Sequence, residues 1–190
     1  MTGSRVAMGI ALVCAALVAA AVALAWHPEI DPVPPPSPAS FDRRLVAEGG
    51  DLAKLGNCAG CHTSEPSRPL AGGRPMPTPF GQVFVTNITP HPEDGIGRWS
   101  REAFGRAMRR GIARNGEHLY PAFPYDHFTR VTDAELDALY AWLMIRRPIA
   151  GRAPETRLGG IVDLRPLVAA WNLLYLDEGP RQRDAAQTSQ

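Results

Sequence analysis

Three cysteines in 190 residues are too few for a disulfide scaffold, and a net charge of +1 gives no electrostatic case for binding nucleic acid. No internal repeat is visible, which excludes solenoids and propellers. Only one pair of cysteines has ligand-like spacing, and the remaining histidines, His91, His118 and His127, do not follow one another at the spacing a zinc site needs. Long helical patterns are scarce as well, because 19 prolines and 18 glycines punctuate the chain. That composition predicts one loop-rich domain of short helices with some extra segments.

Charge is missing altogether from Val6 to Trp26, a run of 21 residues that follows Arg5. About 20 apolar residues cross a bilayer, whereas the core of a cleavable signal is usually shorter. Residues 1–26 therefore read as a transmembrane anchor with Arg5 on the cytoplasmic side and Trp26 at the far interface. Ala23-Leu24-Ala25 also offers a small-x-small cleavage site, and either reading exports the rest of the chain. Cys14 inside the run reads as a small hydrophobe, with lipidation or bridging as the alternative. The proline-rich stretch 27–42 predicts an extended, semi-rigid spacer that holds a mobile domain off the membrane, and His27 on it has no assigned role.

Beyond the spacer, residues 43–57 read as a helix with an apolar stripe of Leu45, Val46, Leu52 and Leu55. Gly49 and Gly50 interrupt it, which suggests that another helix crosses closely there. Residues 63–98 carry little helical pattern, with a short extended piece at 81–88. A helix follows at 99–112, with Ser100 as N-cap and Phe104 and Met108 on one face. Thr132 and Glu135 form a capping box for the strongest helix, 132–147, which Pro148 stops. A further amphipathic helix spans 163–179, centred on 165–176, and a polar tail ends the chain.

NCAGCH, residues 57–62, carries the chemistry. One CxxC pair is half a zinc site, and a thioredoxin-like redox pair needs a βαβ context that is missing here. CxxCH is the attachment signature of c-type haem. Each thiol forms a thioether with one vinyl group, and the histidine behind the second cysteine reaches the iron.

Residues 43–147 resemble a class I cytochrome c domain, on the stretches LGNCAGCH, TPFGQVFVTNITPHPEDGIGRWS, RAMRRGI and YPAFPYDHFTRVTDAELDALYAWL. More closely, they are similar to the haem domains of membrane-bound cytochrome c subunits serving bacterial periplasmic dehydrogenases for alcohols and aldehydes, and molybdenum hydroxylases of the nicotinate or isoquinoline type. The resemblance implies an all-α, class I cytochrome c fold at 43–148, preceded by the transmembrane helix and followed by an extension at 149–190. It implies one covalent haem c on Cys58 and Cys61, with His62 as proximal ligand. It also implies that Pro69 in PLAG offers a carbonyl to that imidazole and that Trp99 donates its indole N–H toward a haem propionate. Gly49 or Gly50 would meet Trp142 of the last helix.

The resemblance fails at one position. The family usually writes its distal methionine as YPAMPY, and here Phe123 stands in that place. Met108 is the leading replacement ligand. His127, His118, Met76, Met144 and an open site remain alternatives, and His91 reads as a solvated turn residue.

The function so implied is single-electron transfer from a periplasmic dehydrogenase subunit toward a downstream cytochrome or oxidase. The haem domain would lie on the periplasmic side of the inner membrane, with no catalysis of its own. The rival is an open-site haem protein with peroxidase-like or ligand-sensing activity. A third expectation is a docking subunit. Longer relatives carry further CxxCH domains after a segment like RPLVAAWNLLYLDEG, and that helix either packs on its own domain or offers an apolar face to a partner.

Overall fold

The computed structural model describes residues 2–163 and 165–180. The polar tail expected at the end of the chain lies, from residue 181 on, outside the described residues. Seven α-helices are present among the described residues: α1 Thr2–Ala25, α2 Arg43–Leu55, α3 Cys58–His62, α4 Arg101–Arg110, α5 Tyr125–Phe128, α6 Asp133–Met144 and α7 Pro166–Tyr175. The chain is mostly helical but not all-α, which corrects the expected fold class. Strands β1 Pro75–Thr78, β2 Gly81–Phe84 and β3 Arg157–Leu158 form a small antiparallel sheet in the order β1-β2-β3. The sequence hides it because Pro75 and Pro77 fall inside β1. That strand lies at the sheet edge, where a missing donor is tolerated.

The helix ends follow local chemistry. Asp42 caps α2 by accepting from the backbone N–H groups of Arg44 and Leu45. Ser100 does the same for α4 through Ala103, and Gly111 closes that helix in a left-handed conformation. The Thr132–Glu135 capping box is complete. Helix α6 ends at Met144, before Pro148 can act. Ile145 caps it, and Arg146 donates to the Trp142 carbonyl while stacking over that indole.

The core forms where α2, α4 and α6 meet. Leu136, Leu139, Leu143 and Met144 of α6 pack with Phe104 and Met108 of α4 and Ala53 of α2. A Cβ added at Gly49 would collide with the Ala138 carbonyl group and lie 2.8 Å from Trp142 Cβ. The glycine pair therefore lets two backbones touch, and Trp142 is the aromatic that covers it.

Helix α1 contains an apolar stretch, Arg5–Ala23, long enough to cross a membrane and with none of it buried in the protein. The segment after it departs from the expected free spacer. Residues 27–33 lie along the domain: Ile30 N–H donates to Arg114 O, Val33 N–H to Arg98 O, and Arg106 donates to Pro28 O. His27, unassigned from sequence, meets His118 edge-on with ring centroids 5.2 Å apart.

Candidate functional site

The short helix α3 is launched by a tight reversal. Gly56 caps α2, Asn57 takes a left-handed conformation (φ 52°), and CAGCH then turns once. That turn places Cys58, Cys61 and His62 on the wall of a cavity of about 520 Å³. Both thiols are free, Cys58 half-buried and Cys61 exposed. Burial pushes the Cys58 thiol above its ordinary pKa, so it is a neutral thiol.

His62 Nδ1 lies 2.7 Å from the carbonyl oxygen of Thr86. An N–H donated there leaves the lone pair on Nε2, the tautomer a metal ligand needs. Burial lowers the pKa of the ring, against the opposing effect of the Thr86 bond, so the imidazole is neutral.

The acceptor is Thr86 and not Pro69, which corrects the expected assignment. Pro69 is exposed and lies outside the cavity wall. The PLAG loop acts indirectly. Leu70 adopts φ 64° and its carbonyl accepts from Ile88 N–H, while Gly72 N–H donates to His62 O. A Cβ at Gly72 would collide with the Thr86 and Val85 carbonyl groups. The loop thus clamps the 85–88 segment against His62. Sequence reasoning could not find Thr86, because a backbone carbonyl leaves no residue-type signal.

Much of the rest of the wall is apolar. Met108 (8% exposed) lines it with Phe104, Leu139, Leu143, Phe123 and Phe128. Phe123 stacks on Phe128, with centroids 5.5 Å apart and planes 25° from parallel. Met76 of β1 also borders the cavity. His127, with a side chain 80% exposed, and His118, bonded through Nε2 to Ala25 O at 3.0 Å, are not in the wall, and neither is Met144. Trp99 is in the wall, and its carbonyl accepts from Tyr140 Oη at 2.9 Å, which ties the α4 approach to α6.

Two thiols and one neutral imidazole converge on an apolar cavity of cofactor size. These residues fit a covalently attached porphyrin: Cys58 and Cys61 could hold it and His62 could ligate its metal.

The cytochrome c family model matches residues 46–145. The chain belongs to the cytochrome c family. Members of this family carry covalently bound haem c. The cytochrome is 48% identical over 176 residues to a nicotinate dehydrogenase subunit of Pseudomonas putida, a match covering 93% of this chain and 15% of the relative. It is 38% identical over 146 residues to the fructose dehydrogenase cytochrome subunit of Gluconobacter japonicus, covering 76% of this chain and 30% of that protein. A third relative, the cytochrome c subunit of the quinone alcohol dehydrogenase of Gluconacetobacter polyoxogenes, is 37% identical over 135 residues, covering 70% and 29% respectively. The chain thus spans less than a third of the length of each of these relatives.

Proposed function

We propose that this cytochrome is a membrane-anchored electron-transfer protein. It would accept single electrons from a periplasmic dehydrogenase and pass them to a downstream cytochrome or oxidase. In this reading α1 is the anchor and the haem domain lies on the periplasmic side. The single observation that carries the reading is the seating of CxxCH at the edge of an apolar cavity, with His62 locked in its ligating tautomer by Thr86. The names of these three relatives, each a subunit of a dehydrogenase, support the choice of electron donor.

Haem c, when bound, supplies a one-electron iron couple. The chain's own residues do the rest. Cys58 and Cys61 would hold the ring covalently. His62 would ligate its iron through Nε2, which the Nδ1 bond to the Thr86 carbonyl leaves available. Met108 is the residue we assign as a second protein ligand that the iron would take, since it is a buried thioether in the cavity wall among apolar neighbours. Methionine opposite histidine raises the reduction potential, which suits onward transfer to an oxidising carrier. Trp99, which lines the cavity, would donate its indole N–H to a propionate. Phe104, Phe123 and Phe128 line the cavity and would keep water from the bound ring.

Expression of the full chain with a c-type maturation system tests this. One haem per chain, a low-spin ferric spectrum and reduction by a partner dehydrogenase are expected. Loss of covalent haem is expected in Cys58→Ala and Cys61→Ala. A high-spin ferric spectrum with peroxide turnover would instead support the open-site reading, in which Phe123 leaves the sixth position free.

A further inference from the structure

Helix α7 is built inside out for a surface helix. It packs on its own domain through Val168, Trp171 and Asn172. Val168 is 7% exposed, Trp171 meets Tyr125 edge-on at 5.8 Å, and Asn172 both accepts from Tyr125 Oη at 2.6 Å and donates to Arg110 O. Asn172 is the only polar side chain between Pro166 and Tyr175, and it faces inward. The outward face carries Leu167, Leu173, Leu174 and Tyr175, exposed by 44, 73, 72 and 66%. Leu167, Ala170 and Leu174 recur at the three- and four-residue spacing of one helical stripe. A solvated helix carries its polar residues on that side.

The position of α7 identifies what covers this face. Helix α7 touches α1. At its start, Arg165 donates to His118 O at 2.7 Å, and the His118 ring bonds Ala25 O at the last residue of α1. Trp26, 67% exposed, sits at the same exit point. Ten residues make about 15 Å of helix, half of what a span requires. The charges flanking α7 are turned back to the domain: Arg165 lies over the Tyr120 ring, and Asp177 and Glu178 pair with Arg130 and Arg110.

From this arrangement we propose that the outward face of α7 seats in the headgroup–acyl boundary of the phospholipid bilayer that α1 crosses. Leu173, Leu174 and Tyr175 would be immersed there, with Trp26 beside them as an interfacial anchor. The inference rests on α1 being a membrane span. It adds that the haem domain is held against the membrane at two points and so has a fixed attitude.

Spin-label depth measurements on the full-length holoprotein test it. The protein would be placed in nanodiscs of phosphatidylethanolamine and phosphatidylglycerol, in a Cys14→Ser background. Labels go on Val13→Cys in the span, Leu174→Cys in α7 and Asp51→Cys on the exposed face of α2. The expected result is a Leu174 label accessible to oxygen but protected from a water-soluble nickel chelate, shallower than Val13, with Asp51 open to the chelate. A Leu174 label as open to nickel as Asp51, while Val13 stays deep, overturns the proposal and leaves the span intact. Protection of Leu174 from both reagents overturns it in favour of a protein partner or a second copy. An open Val13 label removes the span itself, and the proposal with it.

Discussion

His62 Nδ1 is held 2.7 Å from the Thr86 carbonyl, and Gly72 is what brings Thr86 there. The bond raises the basicity of the free imidazole nitrogen and fixes the ring plane. Gly72 sits at φ 70° with no space for a Cβ. Gly72→Ala is expected to cost about 2 kcal/mol from backbone strain alone. It should also push Thr86 away and raise the reduction potential, since a less basic ligand stabilises ferric iron less. Protein-film voltammetry checks the potential. An unchanged value would show that Thr86 does not tune the ligand.

Gly49 makes the α2–α6 crossing possible. Gly49→Ala would drive its methyl group into the Ala138 carbonyl. The expected destabilisation is about 3 kcal/mol or more, the upper range for overpacking. Gly9→Ala, with nothing within 4 Å, is the silent control. Chemical denaturation followed by haem absorbance reads both.

The axial assignment predicts a contrast between two variants. Met108→Leu should abolish the weak charge-transfer band that methionine gives with ferric iron, while keeping the covalent haem. His127→Ala should leave the spectrum unchanged, because that side chain is 80% exposed and outside the cavity. Retention of the band in Met108→Leu would move the ligand to Met76, the other methionine in the wall.

The α1–domain junction should weaken in acid. Burial lowers the pKa of His118, with Arg110 adding to the effect and the Ala25 carbonyl opposing it. Burial also lowers the pKa of His27, helped by His118, Arg110 and Arg106 and opposed by Glu178. His118 Nδ1 is buried without a partner among the described residues. Both rings bind protons more readily unfolded than folded, so stability rises with pH. Their contribution is complete above about pH 6.5 and declines as pH falls through the lower folded values. Thermal unfolding between about pH 7.5 and pH 5 should show this decline, and a His27→Leu, His118→Leu double variant should flatten it.

Tyr125 secures α7. It is 0% exposed and donates to Asn172. Tyr125→Phe leaves the Asn172 oxygen short of a donor and is expected to cost about 1 kcal/mol. Hydrogen exchange should quicken in α7 before it does in α6.

The attachment signature was legible in the chain alone. Cys58, Cys61 and His62 lie within five residues, so their spacing can be read without a fold. Helix caps at Ser100 and Thr132 were legible for the same reason, since a cap acts within three residues. The glycine pair also announced a close crossing. Folding in three dimensions was needed for whatever depends on groups distant in sequence or carried by the backbone. Thr86 reaches His62 across 24 positions through a carbonyl that any residue could supply. Residues 27–33 read as a free spacer because their partners are backbone carbonyls of Arg98 and Arg114, and Arg106. Helix α7 read as amphipathic, yet which face turns inward was settled by the packing of Val168 and Trp171 and by the hydrogen bond from Tyr125 to Asn172, 47 residues apart. A buried phenol needs an acceptor, and Leu173, Leu174 and Tyr175 were left facing out.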